Sequence, residues 1–529
     1  MHSRARTRLL ATSALLLTTA VVGCTDLTVA PKSTVTSANI FNDPNSYKAY
    51  LAKLYAGLQA TGQVGPYGNK DIQAISDEGF SGYLRLWWQM EELPTDEALI
   101  GWGDGSLQEL NTQVWGETNP FLGGMYSRVF FQVSLANEFL RQTTDAALAG
   151  RGVTGQLATD IKTYRAEARF LRAMAYWNGM DLFGNIPLVK EDFAVGGAPP
   201  KQATRAEIFA FVESELQAIK PDLPQPGPST YGRANAVAAD MMLAEIYLNA
   251  KVYTGTERAA DALAAAQRVI ASGAYSLDPV YRNMFLADNN NSPEIIFSIP
   301  SDGVHQQSYG GMTTIIHASV GGSMNAAAFG LNGGWWGLRT RPEFVALFGD
   351  ANTADKRSAL LWSDGQNLDI ASIGNFNDGY AAPKYRNVTS TGQPGSNAEF
   401  VDVDFPVFRL AEAYLIYAEA VLRGGGGDRA TAVNYINLLR ERAYGNTSGN
   451  ITDADLTLPF ILDERGRELW WEAKRRTDLI RFDKFTANGI WEWKGNVKPG
   501  KTTDPKYNLY PLPGAERVAN PNLTQNPGY

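Results

Sequence analysis

The chain is poor in the residues that carry most catalytic chemistry. It has one cysteine, Cys24, and three histidines in 529 residues. A lone cysteine excludes an internal disulfide, and its place near the N-terminus leaves the folded region without a cysteine nucleophile. Of the histidines, His2 lies in the targeting segment, so only His305 and His317 remain for the folded chain. Two histidines without a cysteine partner form no recognisable zinc cluster. No G-x-S-x-G elbow occurs, and no serine–histidine arrangement stands out. Excess positive charge is also missing. The net charge is −8, which argues against a general nucleic-acid binder.

A hydrophobic run long enough to span a bilayer comfortably is absent as well. The apolar stretch Leu9 to Val22 covers 14 residues and follows Arg4, Arg6 and Arg8, the pattern of a secretory signal. It ends in "VVGC", which looks like a bacterial lipobox, with Gly23 before the scissile bond and Cys24 as the lipidation site. Residues 1–23 are therefore expected to be a signal peptide. Cleavage removes three of the 47 basic residues and none of the 55 acidic ones, so the mature chain is more acidic still. Residues 24–40 are polar and aperiodic and read as a lipidated tether. One acyl chain holds a protein only marginally, so lasting attachment needs a second.

What is present is an ordinary globular balance, 44% hydrophobic and 19% charged, and a rich aromatic content that includes 12 tryptophans. Length alone suggests about three domains. The pattern favours one domain over 41–529, with a helical scaffold mainly in 160–272 and 405–485. Ala166, Phe170, Ala173 and Trp177 share one helical face, and Gly184 and Pro187 follow as stop signals. Thr204 and Glu207 have capping-box spacing. Leu410, Tyr414, Tyr417 and Val421 share a face, as do Val433, Ile436, Leu439 and Ala443, with Gly424 to Gly427 as the turn between. Small alanines permit close helix approach. The pattern is tetratricopeptide-like, with about three or four imperfect pairs. An ordinary helical bundle is the alternative. The fold class expected is mainly α, with long Gly- and aromatic-rich insertions at about 60–125 and 275–400. Irregular segments on a rigid scaffold are where binding usually resides.

Six stretches carry a family resemblance. They are "RAEARFLRAMAYWNGMDLFGNIPLV" (165–189), "GRANAVAADMMLAEIYL" (232–248), "SPEIIFSI" (292–299), "FPVFRLAEAYLIYAEAV" (405–421), "ILDERGRELWWEAKRRTDLIRF" (461–482) and "YPLPGAERVANPNLTQNPGY" (510–529). In this order behind a lipobox, they resemble the SusD/RagB family of outer-membrane nutrient-uptake lipoproteins. The resemblance implies a helical frame of tetratricopeptide-like units, a place over a SusC-like TonB-dependent transporter, and capture of glycans or, in some members, peptides. It implies a binding protein rather than an enzyme. No cofactor is expected, and no residue is singled out as a metal ligand. Some members carry an acidic run after the lipidated cysteine that favours surface export. Here only Asp26 follows closely, so surface exposure rests on the family alone.

Other chemistry reads as incidental. "GNVKPGKT", Gly495 to Thr502, satisfies a phosphate-loop pattern, yet Pro505 breaks any helix after it. His305 and His317 read as hydrogen-bonders rather than bases. The carboxylate pairs Asp77–Glu78 and Asp96–Glu97 offer a glycosidase geometry, but capping or solvated surface is the simpler reading. The charges from Glu464 to Arg481 are expected to form a structural ion-pair face along a single helix.

The tryptophans remain. Trp335 and Trp336 sit in "NGGWWGL", and four of the nine residues Gly330 to Leu338 are glycine. A sugar ring exposes flat C–H faces against which an indole can pack. Such a plate must be held out on a loop, where glycine permits the turns. The expected ligand-binding residues are Trp102 and Asp104 in "IGWGDGS", Tyr309 in "QQSYGG", and Trp335 and Trp336. Neighbours in an extended segment point to opposite faces, so at most one of Trp335 and Trp336 should meet ligand. The alternative is that these rings cap the scaffold from below. Trp470 and Trp471, on a helical motif, are expected in the core. The expectation is a lipid-anchored glycan-binding subunit that delivers to a SusC-like transporter at the outer membrane. A peptide-binding subunit of the same complex and a surface glycosidase are the alternatives.

Overall fold

A computed structural model describes residues 40–62, 70–72, 74–75, 79–194 and 196–529. The signal and most of the tether, with Cys24 and the pair Asp77–Glu78, lie outside these residues. Residues from Tyr47 to Tyr529 form one compact unit, and those through Ser46 belong to another. About half of the described residues are helical, with 17 α-helices among them, and strand is sparse.

The helices form where the sequence places long alanine-rich amphipathic runs. Helix Gly155–Phe183 buries Ala166, Phe170, Ala173 and Trp177 together and ends at Gly184, whose φ of 72° is open to glycine. Helix Arg205–Ile219 packs on it. Its capping box is complete: the Thr204 hydroxyl accepts from the Glu207 N–H, and the Glu207 carboxylate accepts from the Thr204 N–H at 2.7 Å. Helices Ala236–Leu248 and Ala259–Ala271 pack closely through Ala262, Ala265 and Ala266. Ala259–Ala271 also packs on Leu410–Leu422, and that helix pairs with Arg429–Tyr444 across the turn Gly424–Gly427. These successive pairs are the tetratricopeptide-like scaffold.

Strands are limited to three antiparallel pairs among the described residues. Ile295–Ile299 pairs with Phe405–Arg409 under the helices, and both strands are buried throughout. Leu99–Ile100 pairs with Leu338–Arg339. That short ladder continues through the Gly101 N–H, which donates to the Gly337 carbonyl at 2.9 Å. It brings the two aromatic-rich insertions side by side. The first of them, 60–125, is less irregular than its composition suggests, since it contains helices Tyr83–Glu92 and Gly105–Thr112.

The charged run near the C-terminus differs from the expected single helix with a surface face. Helix Leu458–Leu469 stops at Trp470, and a second helix runs from Arg475 to Arg481. Trp471 and Ala473, both at positive φ, turn the chain between them. Both Trp470 and Trp471 are buried, and so are most of the charges. Arg409 bonds Glu294 at 2.9 Å, Glu468 at 2.6 Å and Glu472 at 2.7 Å. Arg357 bonds Asp355, Glu464 and Glu468. The charges are structural, as expected, but they form an interior lattice because their partners come from distant elements, among them Arg409 at the end of a buried strand and Arg442 on helix Arg429–Tyr444.

Candidate functional site

Seven tryptophans (Trp87, Trp88, Trp115, Trp177, Trp470, Trp471 and Trp491) are buried. Trp102, Trp335 and Trp336 are not, and Trp336 is the most open at 53% exposure.

The ladder between the insertions sets Trp102 beside Trp335. Their ring centroids are 6.4 Å apart at 45°, and the Trp102 indole N–H donates to the Trp335 carbonyl at 3.0 Å. Gly337 makes this approach possible, because a Cβ there would lie 2.7 Å from Trp102 Cε2 and Nε1. The Trp102 carbonyl accepts from the Gln108 side-chain amide at 2.7 Å. The Arg85 guanidinium lies 5.7 Å from the Trp102 ring and 4.0 Å from that of Phe80.

Tyr309 completes the group. Its ring is 6.2 Å from that of Trp335 and 5.1 Å from that of Phe400. Its hydroxyl donates to the Glu399 carboxylate. Tyr309, Trp102 and Trp335 are each half-buried. Beneath Trp335 lies His317, stacked at 4.5 Å and 23°. His317 is buried in the last turn of helix Gly311–Ala318, not held on a loop. Burial pushes its imidazole below the usual histidine range, against two carbonyls and the Glu399 carboxylate that act to raise it.

Trp336 departs from the extended geometry expected of it. Its φ of 54° is left-handed, which costs a non-glycine residue about 1–2 kcal/mol. Its N–H donates to the Val320 carbonyl at 3.1 Å. Gly334 carries the chain over the same carbonyl, since a Cβ there would sit 2.2 Å from that oxygen. The Trp336 ring leans on Phe376 at 5.8 Å, lies over Gly321 and leaves about half of its surface to solvent. The two neighbours are thus both accessible, but only Trp335 joins the ring cluster with Trp102 and Tyr309. Asp104 is exposed at the N-terminus of helix Gly105–Thr112, where its carbonyl accepts the first helical bond and its carboxylate makes no capping bond.

Sequence reasoning missed His317 as part of this cluster, along with Glu399, Phe400, Phe376 and Arg85. Nothing in their local spacing marks them, because each is brought in by long-range packing. The other candidates fall elsewhere. His305 is exposed and pairs with Asp302 at 2.8 Å. Asp96 and Glu97 are not solvated: Arg475 bonds Asp96 at 2.7 Å, and Glu97 accepts from the Trp471 N–H at 3.1 Å. Residues 495–502 have no strand before them, and only a four-residue 3-10 turn, Pro505–Asn508, follows. No group of three or more His, Cys, Asp or Glu suited to a metal occurs among the described residues.

Comparison with known proteins agrees with this architecture. A model of the SusD family matches residues 355–529. Over 563 aligned positions the chain is 33% identical to the starch-binding protein SusD of Bacteroides thetaiotaomicron, with 97% of each covered. The chain belongs to the SusD family. A SusD-like protein of Bacteroides ovatus is 24% identical over 94% of this chain and 85% of its own. Among solved structures, a SusD superfamily protein from B. thetaiotaomicron superposes with a TM-score of 0.71 at 19% identity, covering 92% of this chain and 99% of that one. Surface glycan-binding protein A of the same species, solved with laminarihexaose, gives 0.69 at 19% identity, covering 91% and 98%. These two establish the shared fold. The relative at 33% identity is named as a starch-binding protein, and this SusD-family chain is not an enzyme.

Proposed function

We propose that this SusD-family protein captures a glycan chain on the shelf formed by Trp102, Tyr309 and Trp335. The observation that carries the reading is the convergence of three half-open rings from two distant insertions, locked by the Trp102–Trp335 hydrogen bond. Half-open plates suit the C–H face of a pyranose. Asp104, exposed two residues beyond Trp102, stands near enough to reach sugar hydroxyls. Among glycans, a starch-type α-glucan is the first candidate, because the relative at 33% identity is named for starch.

Magnitudes suit capture and release. A stacked ring buries ~200 Å², worth about 5 kcal/mol at most. Two or three such plates must offset roughly 4–15 kcal/mol of association cost. The surplus corresponds to a Kd from about micromolar to millimolar. Such binding suits handing the ligand to a SusC-like TonB-dependent transporter. An anchor at Cys24, behind a cleaved residues 1–23 signal and a 24–40 tether, would hold the protein beside that partner at the outer-membrane surface and raise its effective concentration.

Titration of the mature protein with maltoheptaose, laminarihexaose and a peptide library tests the reading. Saturable maltoheptaose binding that Trp102→Ala removes is the expected result. Saturation by peptide alone overturns it. Radiolabelled palmitate incorporated by wild type and not by Cys24→Ala tests the anchor.

A further inference from the structure

His317 is built into the underside of the shelf in a way its neutral form cannot satisfy. Its Nδ1 lies 2.7 Å from the Gly333 carbonyl and its Nε2 2.9 Å from the Glu399 carbonyl. Both partners are acceptors only. A neutral imidazole has one N–H and one lone pair, so it can bond one of these oxygens and must turn a lone pair toward the other. Only the imidazolium donates to both.

The two carbonyls belong to the segments that carry the plates. Gly333 lies two residues before Trp335, whose own N–H donates to the His317 carbonyl at 2.8 Å. Glu399 takes the Tyr309 hydroxyl on its carboxylate. The Asn332 N–H also donates to the Ala398 carbonyl at 2.9 Å, so the two segments meet on either side of the ring. The imidazole face completes the junction by stacking on Trp335.

We propose that His317 is a positioning residue of the glycan shelf, bridging the Trp335 and Glu399 segments with both ring nitrogens, so that ligand capture takes up a proton. This rests on the glycan reading above. The Glu399 carboxylate is the charged group that acts on the ring; the helix of His317 and the Gly333–Trp335 loop present none to it. In the ligand-free structure both carbonyls already lie within bonding distance of the ring, while burial acts against the charge that would let it donate to both. A ligand that needs Trp335 and Tyr309 in register favours the doubly bonded form. By linkage the bound state must hold the proton more tightly, and affinity must rise as pH falls.

The test is maltoheptaose affinity from pH 8 to pH 5 for wild type, His317→Gln and Glu399→Gln. Wild type is expected to bind up to about tenfold more tightly per pH unit across the interval where free and bound proteins differ in protonation. His317→Gln should lose that slope. A flat wild-type profile, or a slope that survives in His317→Gln and vanishes in Glu399→Gln, overturns the proposal. Imidazole ¹⁵N NMR gives a second readout on unmutated protein, since the mature chain has only His305 and His317 and a His305→Gln sample assigns them. Saturating maltoheptaose should raise the pKa of His317 and show both its ring N–H groups. One N–H throughout the range in the saturated protein sinks the bridge even though glycan binds. Failure of every glycan to bind, with His317 doubly protonated and bonded in the free protein below pH 6, sinks the ligand reading and leaves the bridge standing.

Discussion

The indole N–H of Trp102 donates to the main-chain carbonyl of Trp335 across 233 residues of sequence. One plate therefore holds the other in place. Replacing Trp102 by Ala removes a stacking surface and also frees the Trp335 carbonyl. Trp102→Ala and Trp335→Ala should each weaken glycan binding about tenfold to hundredfold, the effect of losing ~1.5–3 kcal/mol of aromatic contact. Trp336→Ala should change it by less than about threefold, since that ring lies outside the cluster. Isothermal calorimetry on the three variants decides; an equal loss in Trp336→Ala would move the site.

Gly337 supplies a test that leaves every plate intact. A methyl there would sit 2.7 Å from two atoms of the Trp102 ring, so Gly337→Ala must displace the indole. Gly103→Ala meets nothing within 4 Å and serves as its control. Gly337→Ala should lose binding to the extent of Trp102→Ala while the circular dichroism stays unchanged, and Gly103→Ala should bind as wild type. Normal binding by Gly337→Ala would show that Trp102 need not occupy this position.

The scaffold was legible because its signals are local. Thr204 and Glu207 are three residues apart, and Gly424 to Gly427 separate two runs of helical period. The partial exposure of Trp102, Trp335 and Trp336 was legible, since each sits among glycines. Their grouping was not. His317 looked like an incidental histidine because its partners Gly333 and Glu399 lie 16 and 82 residues away. The break at Trp470 was equally hidden. Helical spacing continues through Glu472, and only the burial of Trp470 and Trp471 against distant chain ends the helix there. The left-handed turn at Trp336 has the same origin, in the Val320 carbonyl that the loop must reach.

Interior charges predict a stability maximum in mild acid. Burial acts to raise Glu464 and Glu419, but Arg357, Arg467 and Arg440 around the first, and Arg481 and Arg423 around the second, hold both at about 2. Carboxylates held below their usual 4.5 stabilise the fold above that value, and this contribution is lost as pH falls toward 2. Burial raises Asp404 from 3.8 to about 6, and it raises Glu91 and Glu97 as well. Raised acids stabilise below their unfolded pKa, and that contribution is lost as pH climbs through the folded value. The two sets together place the highest Tm near pH 4–5. Scanning fluorimetry from pH 2.5 to 8.5 should show a fall on both sides; a Tm that climbs steadily to pH 8 contradicts the assignment.

Arg409 carries the heaviest interior load. Its guanidinium meets Glu294, Glu468 and Glu472 in a region where all four side chains are at most 2% exposed. Arg409→Met removes the one guanidinium that meets all three carboxylates, leaving Arg442 to answer Glu294 and Glu468, Arg357 to answer Glu468 and Lys384 to answer Glu472. Removing one partner of a buried pair typically costs 3–5 kcal/mol, and the cost here should reach at least about that. Arg409→Lys keeps the charge but cannot present a fork to several oxygens, so it should recover only part of the loss. The exposed pair Lys498–Asp369 is the contrast, and Lys498→Ala should leave the unfolding midpoint nearly unchanged, because solvent screens that pair. Urea unfolding of the three variants separates these cases. Because Arg409 bonds no residue of the shelf, glycan affinity measured below each midpoint should be unchanged. A loss of affinity without a loss of stability would mean that the charge lattice serves the site rather than the frame.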